Sequence, residues 1–351
     1  MRYSEALAAL PRLASGYVPP ASGQIKLNQN ESPFTLTPDE RALLLAELGR
    51  VALHRYPDPA QSALTEAIAG AAGVRPEMVL AGSGANALLE LVIRATCNPG
   101  DPVVTPAPTY HLYAHFAAMN RAELTSVAWG QSLALPVAEL LAAAGARARL
   151  LLLCRPNNPT GHVVPARDVL ELADRFPGLV AVDEAYYDFC RDTLAPFVGN
   201  LGNLVVVRTL SKAYGGAGVR VGYLVAPPDV AAALRRMQLP YAVSALSQAA
   251  GAFLLGRPAM MERQRAAILA GREDLARRLQ GIPGVRTLPS EANFILARTD
   301  FSADALDAEL RGQGIFVRNV HWDDRHLRIS VGTPDEHARL AEAMRGFVAA
   351  R

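Results

Sequence analysis

The sequence predicts an α/β protein: a mostly parallel sheet with helices on both faces, a smaller α+β C-terminal domain after it, and an N-terminal arm before it. Three observations carry that expectation. From residue 41 onward, short apolar and partly β-branched runs alternate with segments of helical period. After about Leu246 the alternation gives way to one long helical stretch followed by short strands. Half of the 351 residues are hydrophobic, enough to bury a large core.

Taken in order, residues 1–28 mix Pro11, Pro19, Pro20, Gly16 and Gly23 with a short helical segment, and read as an arm laid over the body and packed with the small domain. Helices are expected over 65–72, 85–96, 110–119 and 169–176. Strands are expected over 78–81, 103–105, 149–154, 179–182, 204–208 and 221–225. The long helix covers 259–279, short strands follow over 285–288, 294–296, 315–317 and 327–331, and a closing helix covers 335–348. The large domain is thus 29–245 and the small one 246–351, with the boundary within 240–258.

Composition narrows the function. Against 33 Asp+Glu stand 35 Lys+Arg, a net charge of +2 with no block of one sign, so nucleic acid is not an expected partner and small molecules are. Cys97, Cys154 and Cys190 are too few and too scattered for a disulfide framework or a zinc cluster. No signal-like N-terminus and no apolar run near the ~20 residues of a membrane span is present, so a cytoplasmic protein is expected. The basic residues are almost all arginine: Lys26 and Lys212 are the two lysines. A position kept as Lys against that bias suits an amine that must lose its proton and act as a nucleophile, which guanidinium cannot do. Lys26 sits in the alternating segment Gln24-Ile25-Lys26-Leu27 and reads as a solvated charge.

Ligands of an open α/β sheet sit beyond the carboxyl ends of its strands. Gly82-Ser83-Gly84-Ala85-Asn86-Ala87 ends a strand and opens a helix, so its free N–H groups suit a phosphate. It also matches G-x-G-x-x-A, but the acid a dinucleotide site needs after the next strand is missing, Asp101 lying before it. A turn without ligand is the plain alternative. Tyr110, at a Pro-rich strand exit, can stack on a planar cofactor or fill the core. Arg155-Pro156-Asn157-Asn158-Pro159-Thr160-Gly161 is explained by turn chemistry as well as by a ligand. Asp183, delivered at the end of an apolar strand, needs a cationic partner or serves as a helix cap. Lys212 follows the strand over 204–208 and precedes Gly215, Gly216 and Gly218.

An aldehyde-reactive amine, an acid, a stacking aromatic, a phosphate-binding turn and a nearby arginine, Arg220, together fit pyridoxal 5'-phosphate. Its aldehyde needs the lysine, its ring nitrogen an anion, and its phosphate N–H donors with a cation. Asn158, Asp183 and Lys212 are 25 and 29 residues apart, about one strand-helix-strand repeat each, so all three reach one rim of the sheet.

These residues resemble the fold-type I aminotransferases, and among them the histidinol-phosphate aminotransferases, over nearly the whole chain. The superfamily signals are Ser211-Lys212-Ala213-Tyr214-Gly215 with Arg220, Asn157-Asn158-Pro159-Thr160-Gly161, and Asp183-Glu184-Ala185-Tyr186. The narrower signals are Leu27-Asn28-Gln29-Asn30-Glu31-Ser32-Pro33-Phe34, Arg55-Tyr56-Pro57-Asp58-Pro59, Val317-Arg318 and Leu327-Arg328-Ile329-Ser330-Val331-Gly332. The resemblance implies Lys212 as the Schiff-base lysine, Asp183 as partner of the ring nitrogen and Tyr110 as the stacking, third catalytic residue. It places Asn158 and Tyr186 on the ring hydroxyl, and the phosphate on the turn of Gly84, Ala85 and Asn86, on Thr209, Ser211 and Arg220, and on Tyr56 from the other subunit of a homodimer. Arg328, Arg318, Tyr17 and Asn30 are the implied substrate residues. The implied reaction is transamination of L-histidinol phosphate with 2-oxoglutarate, giving imidazole-acetol phosphate and glutamate in histidine biosynthesis. An aromatic aminotransferase or a phosphothreonine decarboxylase shares the cofactor set. The chain departs from the usual family pattern at Asn86-Ala87, where an Asp-Glu pair is common, and at Ser32, where Asn is.

Overall fold

The computed structural model describes residues 23–351 together with Leu7, Leu10 and Ala21; most of the expected arm, Tyr17 included, lies outside the described residues. Thirteen strands are found among the described residues: β1 (Ile25–Lys26), β2 (Val79–Gly82), β3 (Pro102–Ala107), β4 (Glu123–Ala128), β5 (Leu150–Cys154), β6 (Leu179–Asp183), β7 (Leu204–Thr209), β8 (Gly222–Val225), β9 (Val285–Thr287), β10 (Phe294–Thr299), β11 (Ile315–Phe316), β12 (Arg318–Asn319) and β13 (His326–Ser330).

The large sheet has seven strands in the order β2-β8-β7-β6-β5-β3-β4. The neighbours β7-β6-β5-β3-β4 pair in parallel, while β8 runs antiparallel to β2 and β7. Strand β5 explains why the sheet is covered on both sides: all five of its residues are buried. Leu151 and Leu153 join one core cluster with Val180, Val182 and Val206, whereas Leu150, Leu152 and Cys154 join another with Ala181, Val205 and Val207. The period of two thus sends alternate side chains into two separate cores, the requirement of a parallel sheet buried on both faces.

β4 was not among the expected strands. It is an edge strand whose Glu123, Thr125 and Ser126 are exposed, so its sequence lacks the apolar run that marks its neighbours. Helices Ala245–Leu255 and Ala303–Gly312 also appear beyond those expected. Phe253, Leu254 and Leu255 pack in the core that holds Leu64 and Ile68 of helix Ser62–Ala72. The 23-residue helix Pro258–Gln280 and the closing helix Pro334–Ala349 match their expected positions to within a residue or two.

The second sheet is antiparallel, β12-β13-β10-β9. β1 pairs in parallel with β11, Ile25 opposite Ile315, and Ile25 and Leu27 enter the cluster of Leu275, Leu279, Ile295 and Ile329. The described end of the arm is therefore tied to the C-terminal part of the chain. No helix among the described residues is long and apolar enough to cross a membrane, and no cluster of metal-ligating side chains occurs among them. The three cysteines are free.

Candidate active site

The carboxyl ends of β5, β6 and β7, the glycine turn after β2, and residues 29–31 and 318–328 enclose a cavity of about 550 Å³. Asn30, Ala85, Asn86, Tyr110, Asn158, Asp183, Tyr186, Thr209, Ser211, Lys212, Arg220, Arg318 and Arg328 all line it. Two predicted residues do not, and a third cannot be placed. Gly84 is not a lining residue but leads into Ala85 and Asn86, which are. Tyr56 is 81% exposed and stacks on Tyr241, ring centroids 4.6 Å apart, away from the cavity of its own chain. Tyr17 is not among the described residues.

The turn after β2 is built for an anion. Gly84 has φ +88°, and a Cβ there would lie 2.3 Å from the Arg220 guanidinium, so only glycine lets the cation lie against the turn. Helix Ala85–Thr96 starts at Gly84 with no side chain capping it, which leaves the first N–H groups facing the cavity with a partial positive charge. Opposite them, Ser211 Oγ accepts from Thr209 Oγ1 at 2.9 Å and from Arg220 at 3.5 Å. Two hydroxyls, a guanidinium and uncapped N–H groups on one wall suit a phosphate.

Asp183 corrects an expectation. No cation pairs with it among the described residues; its carboxylate instead accepts from Tyr113 Oη and from the Ala185 N–H, both at 3.1 Å. The second bond closes a turn two residues on and is not a helix cap, since helix Tyr187–Cys190 starts from Tyr186 with no side chain capping it. Burial is the main influence on it and pushes the carboxyl up to about 6, with the Ala185 and Tyr113 donors and the Lys212 charge opposing it. A buried carboxylate with only neutral donors is a place for a cation supplied from outside the chain.

Lys212 Nζ donates to the Gln29 carbonyl at 3.0 Å and lies 5.7 Å from the centroid of the Tyr186 ring. Burial first, and Arg328 second, pull its amine down to about 8, against the pull of Glu31 and Asp183. The other lysine pairs with Glu31, Nζ to carboxylate 2.6 Å, so Lys26 is an ion-pair partner of a cavity residue rather than a purely solvated charge.

A polar chain crosses the floor. Asn30 and Asn158 both donate to Tyr186 Oη, at 3.0 and 3.1 Å, and Arg328 donates to Asn158 at 2.8 Å and to the Asn28 carbonyl at 2.7 Å. Asn30, held at φ +53°, also bonds Ser330 on β13 through its N–H and its side chain. Tyr110 donates to Asn86 at 3.2 Å and meets Tyr113 edge to face. Tyr113, His111 and Gln29 were not singled out from sequence. Tyr113 carried a signal, three residues after Tyr110 on one helical face, that reads equally as core.

Residues 22–344 match the family Aminotransferase class I and II, and the chain belongs to that family. Within it, the chain is 33% identical to histidinol-phosphate aminotransferase 2 of Nitrosococcus oceani over 96% of its own length and 95% of that protein's. It is 36% identical to the histidinol-phosphate aminotransferase of Chlorobium phaeovibrioides over 91% and 90% of the two chains. The crystal structure of histidinol-phosphate aminotransferase from Sinorhizobium meliloti in complex with pyridoxal-5'-phosphate superposes with a TM-score of 0.86, at 29% identity, over 93% of this chain and 91% of that one.

Proposed function

We propose that this enzyme transfers the amino group of L-histidinol phosphate to 2-oxoglutarate, giving imidazole-acetol phosphate and glutamate, a reaction of histidine biosynthesis. The observation that carries the reading is one cavity holding a buried carboxylate without a cation, a lysine amine pulled down to about 8, and an arginine pair at its far end. Pyridoxal 5'-phosphate is the cofactor of this chemistry, supplying an aldehyde for the amine and a ring that accepts an electron pair.

The residues fit that cofactor. Asp183 would meet the ring nitrogen and keep it protonated, and Tyr110 would lie against the ring face. Tyr186 and Asn158 would hold the ring hydroxyl. The N–H groups of Ala85 and Asn86, with Thr209, Ser211 and Arg220, would hold the phosphate. Lys212 is the base: with its amine down to about 8, roughly a tenth is unprotonated at pH 7, far more than for an ordinary lysine, and it would take a proton from the donor's α-carbon and deliver it to the cofactor's aldehyde carbon. Arg328 and Arg318 would receive the phosphate of the donor and the carboxylate of 2-oxoglutarate in turn, assisted by Asn30 and, from the arm, Tyr17.

The same reading makes the enzyme a cytoplasmic homodimer in which Tyr56 reaches the partner's phosphate site. Its 81% exposure, beside a stacked Tyr241 and in a chain whose Leu53 and Leu239 are also largely exposed, supports an apolar face awaiting a second copy. An arm over 1–28, a large domain and a small domain complete the division. The packing of Phe253 and Leu254 favours a boundary at the late end of the 240–258 interval.

The test is the visible absorption of the purified enzyme. Conversion of the aldehyde form of the cofactor to its amine form by L-histidinol phosphate, reversed by 2-oxoglutarate, is expected. A spectrum that ignores L-histidinol phosphate but responds to aromatic amino acids, or loss of carbon dioxide from phosphothreonine, would overturn the substrate assignment.

A further inference from the structure

The anion end of the cavity is unbalanced. Arg318 on β12 and Arg328 on β13 are directly opposite in the register, so both side chains leave the same face, and both line the cavity. Each keeps a buried Nε with no hydrogen-bond partner, and neither forms an ion pair among the described residues. Two like charges side by side with unmet donors are costly unless an anion lies between them.

A third group faces the same space. His111, the residue from which helix Leu112–Met119 starts, lines the cavity and sets its ring edge to face against Tyr110, centroids 5.3 Å apart at 74°. Its ring makes no hydrogen bond among the described residues, so both nitrogens are available to an incoming ligand. We propose that His111 is a specificity-determining residue that contacts the phosphate end of the amino donor together with Arg318 and Arg328. This rests on the functional reading above, and it gives that reading a means of telling a phosphate from a carboxylate.

The electrostatics support the geometry. His111 keeps an edge in solvent; its partial enclosure first, then Arg318, Arg328 and His115, push the imidazole down to about 4, and Glu31, Lys212 and Arg220 line the same cavity. Burial first and Arg311 second hold the Arg318 guanidinium below its usual range, with Tyr110 and Asp307 opposing. In the absence of an anion the imidazole is therefore neutral. A dianionic phosphate set among the three groups reverses the balance and draws a proton onto His111, whereas a singly charged carboxylate does so less. The proton comes from solvent at the cavity mouth, and the protonated ring then donates to a phosphate oxygen.

The experiment compares wild type, His111→Ala and His111→Gln as cofactor-loaded enzymes. The Ala variant is expected to raise KM for L-histidinol phosphate by about tenfold more than KM for 2-oxoglutarate at pH 7, with the cofactor spectrum unchanged. The Gln variant, which keeps a donor but cannot charge, should recover part of that loss. Calorimetric titration with glycerol 3-phosphate, a phosphomonoester without an amine, in two buffers of different protonation enthalpy should show proton uptake by wild type that both variants lack. Equal KM shifts for the two substrates, or the same proton uptake in all three proteins, would overturn the proposal. A wild-type enzyme that does not use L-histidinol phosphate would sink the functional reading instead, and the glycerol 3-phosphate titration would still decide the role of His111.

Discussion

At the β6–β7 rim, Asp183, Thr209, Ser211 and Arg220 find hydrogen-bond partners on the large sheet and its turns; at the β12–β13 rim, Arg318 and Arg328 each retain a buried Nε without one. The first rim is bonded within the large sheet and its flanking turns and helices: Asp183 to the Ala185 N–H and Thr209 to Ser211, two positions apart, Arg220 to Ser211, nine apart, and Asp183 to Tyr113, 70 apart. The second joins residues 300 apart, Arg328 with the Asn28 carbonyl and Asn30 with Ser330. The lesson is a division of labour. On the proposed reading, groups for a resident cofactor are preorganised by bonds within one sheet and its connections, while groups for an exchanging substrate are left with unmet capacity that the substrate satisfies.

Loss of Lys212 tests the cofactor rim most severely. Lys212→Ala is expected to lower turnover by more than about a thousandfold, read in steady-state assays with both substrates, because nucleophile and base go together. Near-normal rates would break the assignment. Asp183→Asn should cost about a hundredfold or more in kcat through the loss of the anion at the ring nitrogen. The same substitution should stabilise the cofactor-free protein at pH 7 by about 1–3 kcal/mol in denaturant unfolding, since it removes a buried charge whose carboxyl is raised from 3.8 to about 6. Opposite signs for activity and stability at one residue would be the mark of a cofactor site.

The pH dependence follows from the same group. Asp183 binds its proton more tightly folded than unfolded, so folding takes up a proton between about pH 4 and 6. The contribution of this group to stability is greatest below that window and is lost as pH rises through it, in the cofactor-free protein. Urea unfolding of wild type and Asp183→Asn across pH 4–7 should show curves that diverge as pH rises; parallel curves would count against a raised carboxyl.

At the substrate rim, Arg328→Gln is expected to raise KM for both anionic substrates by about tenfold to a hundredfold, with a smaller change in cofactor affinity. The smallest effect is assigned to Tyr56→Phe: a few-fold weaker hold on the cofactor, measured by dialysis and absorption, as one charge-assisted hydrogen bond among several is lost. An effect of that substitution on a mixed dimer that follows the wild-type subunit's cavity would sharpen the proposal that the residue acts across the interface.

Much of this was legible in the residues. Apolar strands β5, β6 and β7 stand out because both of their faces are buried, and the groups at their ends follow from the rule that such sheets bind ligands there. The two-lysine composition singled out Lys212. What escaped notice has local causes. β4 is an edge strand with a polar face, and Tyr113 differs from a core aromatic only through its bond to Asp183. The neutral partners of Asp183 were not foreseeable, because a strand-end acid shows in sequence only that it must be satisfied. His111 carries no pattern at all until β12 and β13 bring two arginines to face it.

Pairing of β1 with β11 sets a timetable as well as a shape. The cavity draws on positions from Gln29 to Arg328, so about 300 residues of a nascent chain must follow the first of them out of the ribosome before the pocket can close. The strands of the large sheet are all made by Val225, but its two cores wait for Phe253 and Leu254 on one face and for Phe294 and Val331 on the other. Cofactor capture is then a late event in the life of the polypeptide, and shortages of the vitamin should be felt as slow maturation of newly made chains.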